Sequence, residues 1–236
     1  MSRLQGVLQD PLLSVVMPVY NELDTIEEII GRVLAVPVRI QLIVVDDGSA
    51  DGTRDVLARL QPQLGFTLVL QPVNQGKGAA LRRGFEEVRG DIVIIQDADL
   101  EYSPEEFTAL LELIAQGRAD VVYGSRFLGR HRVFLFTHYL GNRVLTLLTN
   151  ILYNTMLSDM ETCYKVMRTE VLRSMTLHSS GFGIEPEMTA KIFKRRFRVY
   201  EIPITYDGRG YEEGKKITWL DGFVALWVLV KYRFTE

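Results

Sequence analysis

The feature that most constrains this chain is an alternation. Through about residue 128, short runs rich in β-branched and apolar residues take turns with segments of helical periodicity. "LLSVVMPVY" precedes "NELDTIEEIIGRVLAV", where Ile26, Ile29, Ile30, Val33 and Leu34 recur at helical spacing. "IQLIVVDDGS" leads into the helical "DGTRDVLARLQ", "FTLVLQP" into "GKGAALRRGFEEVRG", and "DIVIIQDA" into "PEEFTALLELIAQG", before the strand-like "DVVYGSRF". Pro104 opens the last helix, with two acids behind it at the positive end of the helix dipole. Such an order predicts βαβ units and hence an α/β fold with a mainly parallel sheet flanked by helices.

Beyond residue 128 the pattern changes. "LGNRVLTLLTNILYNTML" carries Leu140, Val144, Leu147, Leu148, Ile151 and Leu152 on one face and Arg143, Thr146, Asn150 and Asn154 on another, an amphipathic helix. "CYKVM" and "FRVYEIPITY" read as strands, with a helix between them around "EPEMTAKIFKRR". The apolar run Phe223–Val230, with Trp219 and Trp227 and flanking Lys215, Lys216, Lys231 and Arg233, suits either a buried C-terminal helix or one lying in a membrane interface. It is too short to span a bilayer, which takes ~20 residues. With no repeat, low-complexity tract or linker, the expectation is one domain over 1–236: a ligand-binding half at about 12–128, an acceptor-side half at about 129–217, and a helix at 217–234.

Charge divides the same way. Residues 1–120 hold 10 basic and 19 acidic side chains, and residues 121–236 hold 17 and 11. An acidic half can hold a metal, and a basic half can meet phosphate or a lipid surface. The single cysteine, Cys163, rules out an internal disulfide and fits a reducing compartment, and the N-terminus shows no secretory signal pattern.

Four loops with chemical potential follow successive strands: "PVYNE", "VVDDGSADGT", "NQGKGAA" and "QDADLE". Ligands of open α/β sheets bind at that edge. Taken singly, each has an ordinary reading: "DDGSADGT" as a turn and helix cap, and Lys77 as a solvated charge. No GxxxxGK[ST] and no GxGxxG after the first strand is present, which weakens kinase, GTPase and NAD-enzyme readings. In "QDADLE", Asp97, Asp99 and Glu101 alternate on one side of an extended backbone, where mutual repulsion calls for a cation or solvent.

Together with "DADLEYSPE" and "YGSRF", these strings resemble the family-2 nucleotide-sugar glycosyltransferases of the GT-A (Rossmann-like) fold, over about residues 12–217. They are most similar to the branch that makes polyprenyl-phosphate sugars, the dolichyl-phosphate mannosyl- and glucosyltransferases. The resemblance implies that Pro18, Tyr20 and Glu22 line the base and ribose pocket, that Asp47 contacts the nucleoside, and that Lys77 approaches the nucleotide phosphates. Asp97, Ala98 and Asp99 match an Asp-x-Asp motif that holds Mg²⁺ or Mn²⁺ on the donor diphosphate, and Glu101, a third candidate metal ligand beside the two aspartates, stands where this branch often has glutamine. Arg126 and Arg143 resemble arginines that bind acceptor or donor phosphate, and "DMETCYKVMR" an acceptor-side motif in which Asp159 would orient the acceptor or merely cap a turn. "GRGYEEGKK" looks like a loop that closes over phosphates through Arg209, Lys215 and Lys216, with an acidic insert that unsettles their alignment.

The implied reaction is metal-dependent, inverting transfer of a hexose from GDP-mannose or UDP-glucose to a polyprenyl or dolichyl phosphate. A phosphomonoester is already largely anionic near pH 7, so no strong base is needed. The expected partners are a nucleotide sugar, a lipid phosphate and a membrane surface, met peripherally on its cytoplasmic face, with no nucleic acid. Three alternatives stay open: transfer to a soluble hydroxyl, for which the processive Q-x-x-R-W is absent, a sugar-nucleotide pyrophosphorylase, and a binding module without catalysis.

Overall fold

A computed structural model describes residues 6–132, 135–209 and 219–235. Seven strands form one sheet: β1 (Leu13–Val19), β2 (Ile40–Asp46), β3 (Thr67–Leu70), β4 (Ile92–Ile95), β5 (Val121–Ser125), β6 (Lys165–Arg168) and β7 (Val199–Pro203). Their spatial order is β3, β2, β1, β4, β6, β5, β7. Every neighbouring pair is parallel except those made by β6, which runs antiparallel to both β4 and β5. All of β4, and β2 from Leu42 onward, is buried, because helices cover both faces of a parallel sheet.

The helices are α1 (Ile26–Leu34), α2 (Thr53–Leu64), α3 (Lys77–Phe85), α4 (Phe107–Ala115), α5 (Phe136–Tyr153), α6 (Thr169–Arg173), α7 (Ile184–Lys194) and α8 (Trp219–Phe234). A 3₁₀ turn at Pro104–Glu106 leads into α4. The short α6 has no signature in the periodicity. Helix α3 packs hard on the sheet: a Cβ on Gly84 would meet Val16 Cγ1 at 2.5 Å. One core cluster runs from Leu13 through Leu229, so both halves of the chain share it. The order of the sheet reverses at β1, whose successors β2 and β4 flank it, and the crevice at such a switch point is where open sheets bind ligands.

Helix α5 inverts the usual polarity of an amphipathic helix. Thr146 and Thr149 are buried, while Leu140, Val144, Leu147 and Ile151 lie on the surface, Ile151 at 67% exposure. The threonines can be buried because their hydroxyls are satisfied locally: Thr149 Oγ1 donates to Leu145 O at 2.9 Å, and Thr146 Oγ1 accepts from Met160 N at 3.1 Å. Helix α8 buries one face, as the first of its two readings expects, and leaves the other exposed. Ala225, Val228, Leu229 and Tyr232 pack toward α5 and α7, and Tyr153 Oη donates to Leu229 O at 2.7 Å. Leu220, Phe223, Val224 and Trp227 stay exposed. None of the described helices is long and apolar enough to cross a membrane.

Candidate active site

The ends of β1 and β2 are tied into one wall. After Val19, Asn21 turns the chain with φ of 50°, its N–H donating to Ser49 Oγ and its side chain accepting from Ala50 N. Asp46 Oδ2 accepts from Gly48 N, Ser49 N and the Arg54 guanidinium, the last at 2.6 Å. Its Oδ1 is buried without a hydrogen-bond partner among the described residues. Asp47 faces the other way: it accepts from Gln71 Nε2, Gln75 N and Gly76 N at 2.7–2.8 Å and thereby organises the loop that leads into Lys77. The side chain expected to touch a nucleoside is thus occupied in the loop, and its neighbour Asp46 keeps an open acceptor. Only glycine fits at 48, where φ is 78° and a Cβ would lie 2.6 Å from Asn74 N. Pro18 is half-buried within β1 and Tyr20 stands exposed at its end.

Two cations meet the acidic motif after β4. Lys77, the first residue of α3, places Nζ 2.8 Å from both oxygens of Asp97 and 3.5 Å from Glu185 Oε1. Burial opposes its charge, but Asp97 and then the other nearby acidic groups outweigh that and hold the ammonium well above its ordinary pKa. Glu185 itself accepts from Lys165 Nζ at 2.6 Å, so a chain of alternating charges runs inward from Asp97. Arg209, 110 residues along the chain from Asp99, reaches Asp99 Oδ2 at 3.2 Å and both oxygens of Glu22 at 3.3 Å. Burial, Asp97 and Glu101, in that order, push the Asp99 carboxyl up to about 7, with Arg209 opposing them.

Glu101, expected beside the two aspartates as a metal ligand, is engaged elsewhere. It accepts from Tyr206 Oη and, at 2.7 Å, from Arg209 N, and so anchors the chain after β7. No three acidic, histidine or cysteine side chains converge as a metal cluster among the described residues. Ala98, between the aspartates, is buried and its carbonyl accepts from Thr25 Oγ1 at 2.7 Å.

The second half brings an arginine to the same edge. Arg126 follows β5, and its Nε and Nη2 donate to Asp159 at 2.7 and 2.8 Å while its backbone N–H donates to the same carboxylate at 3.0 Å. Burial works against the guanidinium charge, and Asp159 more than compensates, holding its pKa well above normal. Among the described residues Nη1 has no hydrogen-bond partner. Asp159 is wholly buried and therefore serves as the arginine's bracket. Glu201 on β7 in turn accepts from Ser158 N and Asp159 N at 3.0 Å. Arg143, exposed on α5, reaches Ser158 O at 3.4 Å, so both arginines meet one short segment. The Tyr206 ring lies 5.2 Å from the Arg126 guanidinium. Lys215 and Lys216 lie outside the described residues.

The sequence reading did not name Asp46, Tyr206, Glu185, Lys165 or Glu201. Glu185 stands in the first turn of α7, where an acid reads as a dipole complement, and Glu201 reads as a strand's outward charge; nothing local marks the first as buried or the second as half-buried and bonded to the segment at Ser158 and Asp159.

Residues 14–176 match the model of Glycosyl transferase family 2. The chain is 32% identical over 228 residues to a low-salt glycan biosynthesis hexosyltransferase of Haloferax volcanii, covering 94% of this chain and 53% of that protein. It is 29% identical to the dolichol-phosphate mannosyltransferase of Pyrococcus furiosus, over 86% of this chain and 58% of the other. It is 31% identical to the polyprenol monophosphomannose synthase of Mycolicibacterium smegmatis, over 88% and 84%. The chain thus spans little more than half of the first two relatives. Among solved structures, glucosyl-3-phosphoglycerate synthase from Mycobacterium tuberculosis, in complex with Mn²⁺, UDP and phosphoglyceric acid, superposes with a TM-score of 0.74 at 22% identity, covering 96% of this chain and 80% of that one. That likeness establishes the GT-A fold.

Proposed function

The chain belongs to glycosyl transferase family 2, and on that premise we propose that it transfers a hexose from a nucleotide sugar to the phosphate of a polyprenyl lipid, with inversion. One observation carries the acceptor half of this reading: Arg126 is fixed by Asp159 on two of its guanidinium nitrogens while Nη1 is without a partner among the described residues, at the same sheet edge as Asp97 and Asp99. A guanidinium so bracketed suits a phosphate oxygen, which it can hold at full charge and in a set orientation.

The carboxylates fit a divalent cation. Arg209 already lies among Glu22, Asp99 and Glu101 as an internal positive charge, and Asp97 and Asp99 offer the one or two carboxylates that Mg²⁺ takes when substrate phosphates complete its shell. Bound there, Mg²⁺ or Mn²⁺ would neutralise charge on the departing diphosphate. Lys77 at the start of α3 faces the same phosphates, and Asp46 with its open oxygen suits a donor group of the base. The lipid phosphate oxygen, held by Arg126 with Arg143 beside it, attacks the anomeric carbon. The carbon–oxygen bond to the diphosphate breaks, and its electron pair leaves with the nucleotide, so no proton need be removed from the acceptor. Incubation with UDP-glucose or GDP-mannose, Mg²⁺ or Mn²⁺ and polyprenyl phosphate, read by mass detection of the lipid, tests the reading. A glycosylated lipid is expected; transfer only to free sugars, or pyrophosphate release without transfer, overturns it.

Arg209 competes with the cation it resembles. Arg209→Ala is expected to raise the affinity of the nucleotide-free chain for Mn²⁺ about tenfold, ~1.4 kcal/mol, of the size of one charge-assisted contact. Calorimetric titration reads this directly, and an unchanged or weaker affinity rejects the competition.

The exposed apolar faces of α5 and α8 support peripheral attachment to a membrane, where a lipid acceptor resides. Leu147, Ile151, Phe223 and Trp227 replaced together by serine should cut co-sedimentation with anionic liposomes by about a hundredfold or more, since each large apolar side chain contributes ~1 kcal/mol or more on insertion. All four are exposed, so the circular dichroism spectrum should stay that of the parent; equal partitioning would remove these faces from the membrane argument.

A further inference from the structure

Segment 158–165 crosses from the end of β5 to the end of β4. At its first end Asp159 brackets Arg126, and Thr162 Oγ1 donates to Gly124 O at 2.6 Å. At its second, Cys163 Sγ donates to Ile95 O at 3.6 Å, Tyr164 Oη donates to Gln96 Oε1 at 2.7 Å, and Lys165 reaches Glu185 beside Lys77. Glu161 lies midway. The other acids around it are engaged: Asp159 by Arg126, Glu185 between Lys165 and Lys77, Glu201 by Ser158 N and Asp159 N. Glu161 Oε1 alone of this group is buried with no hydrogen bond and no ion pair among the described residues.

We propose that Glu161 recognises the donor hexose by accepting a hydrogen bond from one of its hydroxyls, an assignment that rests on the donor reading above. An in-line displacement places the hexose between the diphosphate, at Lys77 and Asp97, and the attacking phosphate, at Arg126. The segment that carries Glu161 joins those two places. A buried acceptor oxygen needs a donor, and phosphate oxygens offer none; they would also repel a carboxylate. A neutral polyol supplies O–H groups at the one position between the two anions. Burial pushes the carboxyl up to about 7, with Lys165 opposing, which suits a neutral ligand better than a charged one.

The test is calorimetric titration of the intact chain, with Mn²⁺ present, by UDP-glucose against UDP and by GDP-mannose against GDP, for the parent and for Glu161→Met and Glu161→Gln. Glu161→Met is expected to weaken the preferred nucleotide sugar about ten- to a hundredfold and to leave the bare nucleotide within about twofold. Glu161→Gln keeps an acceptor oxygen and should lose less than tenfold on the sugar, again with the bare nucleotide unmoved; it carries the test if the methionine variant fails to fold. Equal losses on sugar and bare nucleotide, or no loss on either, overturn the assignment while leaving the donor reading intact. A parent chain that binds neither nucleotide sugar overturns the donor reading, and this assignment with it.

Discussion

Asp99→Asn is expected to lower transfer by about a thousandfold or more, while making the metal-free chain no less stable at pH 8 than its parent. The first part follows from the several kcal/mol that a cation on the leaving diphosphate contributes to the transition state, at 1.36 kcal/mol per tenfold. The second follows from the electrostatics of the empty cradle. Burial, Asp97 and Glu101 raise the Asp99 carboxyl from its ordinary value to about 7, and Arg209 offsets them only in part. Below about pH 3 that carboxyl is largely neutral in both folded and unfolded chains. As the pH climbs toward 7 the unfolded chain ionises there first, so the folded chain progressively loses stability, and the loss is complete above the folded pKa. Asparagine never ionises, so the variant lacks this decline between about pH 4 and 7. Thermal unfolding from pH 4 to 8 without metal measures both slopes. Adding Mn²⁺ at pH 8 should raise the parent's midpoint and leave the variant's nearly unmoved. A variant that keeps full activity, or that gains as much from Mn²⁺ as the parent, removes Asp99 from the cradle.

The parts of this molecule that were legible in the sequence share a physical cause. β1, β2 and β4 announce themselves because a strand covered on both faces must be apolar throughout, and the loops after them because only glycine, asparagine and short acids make such turns and reach a ligand. The reversed direction of β6 has no such marker, since "CYKVM" reads alike in either direction. The contacts of Arg209 with Glu22 and Asp99 join residues 187 and 110 positions apart, and no local pattern encodes them. Helix α5 shows the limit most clearly. Its leucine stripe follows the helical period faithfully, yet period alone cannot say which face meets the core. Here the threonines do, because Met160 N and Leu145 O satisfy their hydroxyls. The buried Glu185 and half-buried Glu201 were invisible for a related reason: a carboxylate leaves water only when cations or N–H groups await it, and those partners come from distant segments.

The Arg126–Asp159 pair makes the strongest stability prediction, because its two partners behave oppositely when removed alone or together. Asp159 is fully buried and Arg126 nearly so, and the carboxylate accepts three of the arginine's N–H groups. Asp159→Ala leaves a desolvated guanidinium without its counter-charge and should cost about 3–5 kcal/mol in denaturant unfolding. Arg126→Met strands the carboxylate instead and should cost a similar amount, together with a loss of about 10³-fold or more in kcat/KM for polyprenyl phosphate, the size expected when a preorganised charge on the reacting phosphate is removed. The double variant Arg126→Met/Asp159→Leu buries neither charge, so it should recover most of the lost stability and none of the activity. That split separates the pair's two roles: stability tracks whether a charge is stranded, and activity tracks whether an oriented Arg126 guanidinium is present. Arg126→Lys sharpens it further, since an ammonium keeps the charge but cannot span both oxygens of Asp159 and still present a free N–H in a fixed plane; it should stay near the parent in stability and fall at least about tenfold in kcat/KM. If the double variant remains as unstable as either single one, the bracket is a packing element and not an ion pair held for the acceptor. If Arg126→Met retains transfer to the lipid phosphate, the acceptor is held somewhere else on this edge.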